Sequence, residues 1–208
     1  MVWQSSQNVA RIFTFYNAAK QSGRRFVLDV FTAFVLHELS RTEGGQNLPY
    51  PGKPGFDDVH VWYPWKLANR LANNGGEVLL RRFAPFAIRK EDVAKAPGRY
   101  MMFMRKGMEL DLDRYQGLHG GTMFYSMWSG YLEKASERRF LERVRELGIT
   151  VKTLHTSGHA DLATLQEMVN RTAPKLLISI HSTRPEAFKE HFDCPIATPD
   201  EAKEGVTL

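Results

Sequence analysis

The chain is short of cysteine: Cys194 stands alone, which excludes an intrachain disulfide and any zinc site built on paired cysteines. No apolar run reaches bilayer-spanning length, so no transmembrane helix is expected. The opening residues, Met1 to Ser6, lack the basic region and apolar stretch of a secretory signal, which makes the cytoplasm the expected location. There is no phosphate-binding P-loop and no G-x-S-x-G nucleophile elbow, which sets aside the commonest nucleotide hydrolases and serine hydrolases. Internal repeats and low-complexity tracts are absent too. Basic residues come as pairs, such as Arg24-Arg25, Arg81-Arg82, Arg89-Lys90, Arg105-Lys106 and Arg138-Arg139, and never as a long tract.

What remains is an ordinary globular composition. The 208 residues are 43% hydrophobic and 25% charged, enough for one large domain or two small ones with a real core. A formal net charge of +5 suits a polyanionic partner such as nucleic acid, and it is also common among proteins with no such partner.

Periodicity predicts a parallel α/β chain. Val9, Ile12, Phe13, Tyr16 and Ala19 follow a three-four spacing that predicts a helix, with Ser6 or Asn8 as its N-cap and Gly23 at its end. Arg25 to Val30 reads as a buried strand, and Thr32 to Leu39 as the helix after it. The glycine- and proline-rich stretch from Ser40 to Phe56 reads as a loop. Strands are expected at Val59–Tyr63, Tyr100–Met104 and Thr122–Ser126, with a short helix over Lys66–Leu71. Phe140, Leu141, Val144 and Leu147 mark one face of a charged helix stopped by Gly148, and Ile149–Leu154 a strand. Leu162, Leu165, Met168 and Val169 mark a further helix, and Leu176–Ile180 a strand. Thr183 to Glu186 has the pattern of a capping box opening a last helix.

In parallel sheets the chemistry gathers at the carboxyl ends of the strands. His159 falls there, in a glycine-containing loop before a helix, where an imidazole could donate a proton to a leaving oxygen. His181 directly follows the next strand, and neutral imidazole is a common zinc ligand. Position alone favours the plainer reading of each: His159 as a residue capping the helix or packed in its loop, His181 as a buried histidine satisfied by a hydrogen bond. His155, four residues before His159, lacks helical geometry for a metal pair, and His37, His60, His119 and His191 have no partner at ligand spacing. Asp29 lacks the second acid of a dehalogenase-type phosphatase loop and reads better as a cap for the following helix. The cluster Trp62-Tyr63-Pro64-Trp65 could stack on bases, or be core or lid.

Thr156-Ser157-Gly158-His159-Ala160, followed by a helix and then Pro174 to His181, resembles the last motifs of the β-CASP metallo-β-lactamase-fold nucleases, the family of RNase J. Ser5-Ser6-Gln7-Asn8 through Asp29 resembles the start of the β-CASP insertion, and Tyr125 to Tyr131 its end. The resemblance implies a β-CASP-like α/β domain over residues 1–131 and the C-terminal part of a metallo-β-lactamase fold over residues 132–208. It implies His159 as the proton donor beside the scissile phosphate and His181 as a ligand to one of two zinc ions. Ser157, Gly158, Ser6 and Asn8 would contact the substrate.

The H-x-H-x-D-H motif that binds most of the metal in that family is absent from this chain. The expectation is therefore a partial zinc-dependent hydrolase of phosphodiesters, RNA more than DNA, inactive until completed by an upstream half or homologous chain. The alternatives are a nucleic-acid-binding module without catalysis and an interaction subunit, self-association included, whose open sheet edge docks on a partner.

Overall fold

The computed structural model describes residues 1–155, 160–180, 182 and 184–205. The chain forms two compact units, Met1–Thr156 and Ser157–Leu208.

The first unit opens with β1 (Val2–Trp3), α1 (Val9–Gln21), β2 (Arg25–Asp29), α2 (Val30–Leu39) and β3 (Val59–Trp62). A run of short helices follows, α3 (Trp65–Asn73), α4 (Glu77–Phe83) and α5 (Lys90–Lys95), before β4 (Tyr100–Met102) and α6 (Glu109–Leu112). β5 (Thr122–Tyr125), α7 (Ala135–Glu146) and β6 (Thr150–Thr153) complete it. The helix and strand at residues 135–153 pack within this first unit.

All strand pairs are parallel. β2 lies between β3 and β4, and β5 between β1 and β6. A parallel bridge between Val2 and Phe103 joins the two three-stranded sheets, and the Met104 N–H donates to the Val2 carbonyl at 2.9 Å. The spatial order is thus β3, β2, β4, β1, β5, β6. From β1 the chain moves outward to β2 and β3, then returns through β4 and passes β1 to reach β5. The order reverses at β1.

Both faces of this array are covered, and the strands alternate between two cores. Val2, Phe26, Leu28, Val59, Val61 and Phe103 face one core, which α1 fills with Ile12, Phe15, Tyr16 and Ala19 and α2 with Ala33 and Leu36. Trp3, Val27, Trp62, Met102, Met104, Met123 and Tyr125 face the other, closed by Val93, Leu112, Phe140, Leu141 and Val144. A period-two alternation in which both sets are apolar is what a buried parallel strand requires.

Local signals act as expected at several ends. Asn8, not Ser6, caps α1, its Oδ1 accepting the Arg11 N–H at 3.0 Å. Asp29 caps α2. Gly148 ends α7 at φ +72°, and a Cβ there would lie 2.2 Å from the His119 ring, so a side chain would be strained and would displace that ring.

In the second unit, α8 (Leu162–Thr172) is capped by Asp161, and β7 (Leu177–Ile178) pairs in parallel with β8 (Ile196–Ala197). The expected helix after Arg184 is a single 3-10 stretch, Pro185–Glu190. Thr183, expected to open a capping box there, lies outside the described residues; a reciprocal capping box is formed by Thr198 and Glu201 at the head of α9 (Pro199–Lys203). No helix among the described residues is long and apolar enough to cross a membrane.

Candidate functional site at the carboxyl edge of the sheet

The reversal at β1 opens a crevice outside the carboxyl ends of the central strands, the place where ligands bind in open α/β sheets. Five of the six strands deliver polar groups to that edge: Gln4 and Ser6 after β1, Asp29 at the end of β2, Arg105 and Lys106 just beyond β4, Ser126 after β5, and His155 after β6.

The centre of the edge is a closed hydrogen-bonded ring. Asp29 is wholly buried, and its Oδ1 accepts from Arg105 Nη2 at 2.8 Å and from the Thr32 N–H at 3.2 Å. Its Oδ2 accepts from the Thr32 hydroxyl at 2.6 Å. Because that hydrogen is spent on Asp29, the 2.7 Å contact between Ser6 and Thr32 is one in which Ser6 donates. Ser6 Oγ in turn accepts from Arg105 Nη1. Arg105 is thereby held by two groups at once, with a fixed guanidinium plane, and keeps 23% of its side chain exposed.

Beside the ring, Arg11 Nη1 donates to the Ser126 carbonyl at 2.9 Å and to His155 Nδ1 at 3.0 Å. A guanidinium only donates, so His155 Nδ1 accepts and the proton of the neutral ring sits on Nε2. Gln4 is buried with neither its amide oxygen nor its amide nitrogen partnered among the described residues.

A cavity of about 230 Å³ opens next to Arg105. Trp3, Tyr125 and Met127 form its apolar wall; Arg105, Lys106 and Lys134 bring positive charge, and Glu137 the one carboxylate. Lys106 Nζ bonds Glu137 at 2.9 Å and Ser136 at 3.1 Å. Burial, with Glu137 close by, pushes the Tyr125 phenol up to about 12, so it remains a neutral donor, directed to the Trp128 carbonyl at 3.3 Å. A larger cavity of about 430 Å³ lies at the opposite, amino edge of the sheet, lined by Met101, Leu118 and Gly120 with Arg24 and His119. The strand-end rule and the concentration of fixed polar groups favour the carboxyl edge.

Of the residues expected to form the site, Ser6 lies in the ring, its hydrogen committed to Thr32, and Asn8 stands exposed at the N-terminus of α1. A phosphate contact through the Ser6 hydrogen therefore requires that ring to open. Ser157, Gly158, His159 and His181 lie outside the described residues. Among the described residues no group of three or more His, Cys, Asp or Glu side chains is placed to hold a metal ion, so these residues do not by themselves fit a zinc centre. Sequence reasoning passed over Arg105, Thr32 and Gln4. The available signal was the position of Arg105-Lys106, directly after the apolar run Met101–Met104. No family model matches the chain, and no curated protein matches it significantly.

Proposed function

We propose that the chain is the strand-holding part of a metal-dependent phosphodiester hydrolase of the β-CASP metallo-β-lactamase type, acting on nucleic acid, RNA in preference to DNA. The observation that carries the reading is the fixed Arg105 at the carboxyl edge, flanked by Lys106 and Lys134 and backed by the buried Asp29. A guanidinium already oriented by two internal bonds loses little entropy when it meets a phosphate. Zinc binding rests in this reading on a completing half that carries H-x-H-x-D-H, together with His181. This chain's own contribution is to hold the strand and, through His159, to protonate the departing oxygen.

The test is reconstitution with such a half in the presence of zinc. Cleavage of single-stranded RNA is expected only from the two together, with His159→Ala reducing the rate about a hundredfold or more and His181→Ala abolishing tight zinc uptake. Cleavage indifferent to both substitutions would overturn the assignment.

A nucleic-acid-binding module without chemistry is the second reading, favoured by the fact that the same cations hold a phosphate without any metal. It predicts unchanged RNA binding in chelator and no cleavage with any completing half.

A further inference from the structure

The cavity beside Arg105 has three properties that do not follow from core packing. Its charge is lopsided, with Arg105, Lys106 and Lys134 against Glu137. Glu137 is already paired to Lys106 and Asp29 to Arg105, whereas Lys134 makes no ion pair among the described residues. An aromatic lining residue is open to solvent: Tyr131 is 38% exposed, and its ring meets edge to face, at 5.5 Å, that of Trp128, which is 60% exposed. Burying these rings in the core would have been the favourable course for side chains of this size.

Lys134 Nζ lies 5.2 Å from the Tyr131 ring centroid, which brings this cation and the aromatic surface to one place. The wall behind them, Trp3 with Tyr125 and Met127, is apolar, so charges at the mouth act through a medium of lower polarisability than water. The volume of about 230 Å³ admits a phosphate with a sugar or a base, and no folded partner.

We propose that this cavity is a nucleotide-binding site, in which the base lies on the Tyr131–Trp128 surface and the phosphate is drawn between Lys134 and Arg105. The ligand is an aromatic heterocycle carrying a phosphate, supplied either as a free mononucleotide or as one unit of a strand. In the second case the site deepens the strand-holding role proposed above. It needs neither metal nor a completing half, so the two readings fail separately.

The experiment is a titration of the chain alone, in chelator, with AMP, with a dinucleotide and with inorganic phosphate, followed by tryptophan fluorescence. Trp3 lines the cavity and Trp128 packs against the lining residue Tyr131, so binding is expected to quench the signal. Lys134→Gln should weaken nucleotide binding about tenfold and flatten its salt dependence by about one phosphate contact. Tyr131→Ala should weaken it about 5- to 150-fold, the range that base–aromatic stacking spans. Both side chains are partly or wholly exposed and outside the buried ring, and thermal melts of each variant should match the parent.

Binding of AMP that both substitutions weaken supports a site for free nucleotide. Binding of the dinucleotide alone, weakened likewise, supports a site for a strand. No binding of either, binding indifferent to both substitutions, or inorganic phosphate bound as tightly as AMP overturns the proposal. Cleavage by the reconstituted enzyme alongside absent nucleotide binding would sink this site and leave the hydrolase reading standing.

Discussion

Asp29→Ala is expected to lower the melting temperature by roughly 6–12 °C. The carboxylate is completely buried and serves two masters: it caps α2 through Thr32 and neutralises Arg105. Its removal leaves the Thr32 N–H and hydroxyl without their acceptor and strands a guanidinium that is 23% exposed. Breaking a buried pair by removing one member costs about 3–5 kcal/mol, and the partial exposure of Arg105 places this case near the lower figure. Asp29→Asn keeps an acceptor for Thr32 but supplies no charge, so an intermediate loss is expected. Adding Arg105→Met to Asp29→Ala should recover part of the stability, because the stranded charge is gone. Calorimetric melts of the three variants check this. Equal losses for Asp29→Ala with and without Arg105→Met would mean that the cap, not the ion pair, carries the effect.

The second large effect falls on the seam of the sheet. Phe103→Ala is expected to cost about 3–5 kcal/mol. Phe103 is 1% exposed and packs edge-on against Phe26 with ring centroids 5.5 Å apart. Its backbone joins the two halves of the array: the N–H donates to Val27 at 2.9 Å, the carbonyl accepts from Trp62 Nε1 at 3.0 Å, and the residue bridges to Val2. Truncation empties the space between α1 and the strands just where β4 meets β1. Phe103→Leu, which refills most of that volume, should cost about 1 kcal/mol. In urea titrations the midpoint should fall with an unchanged slope. A reduced slope would mean that the two halves of the sheet unfold separately.

Much of the fold could be read from periodicity, because a strand buried on both faces and a helix with one apolar stripe leave unmistakable spacings. The α1–β2–α2 run and the α7–β6 run were predicted within a few residues of the observed bounds. The short helices on either side of β4 are harder to read. α4, α5 and α6 have four to seven residues each, too short for a 3.6-residue period to stand out. The insertion of β4 between β2 and β1 has no local signature at all, since it is decided by which strands bury Phe103 and Met102 best.

The candidate site was legible only in part, for the same reason. Asp29 as a cap and Asn8 as a cap follow from residue type and position. The ring that unites residues 6, 29, 32 and 105 spans about a hundred positions of sequence and exists only after the sheet has formed. A basic pair such as Arg105-Lys106 looks like every other pair in the chain until the strand order places it at the reversal point.

The most direct test of the account is the affinity of the chain alone for single-stranded RNA, measured by fluorescence anisotropy across a range of salt. Contacts from Arg105, Lys106 and Lys134 predict saturable binding that weakens with salt, with a logarithmic slope of about −2, or roughly −0.7 per phosphate contact. Lys134→Gln should bring the slope to about −1.4. No binding at low salt, or binding whose salt dependence ignores that substitution, would contradict the claim that the carboxyl edge holds nucleic acid.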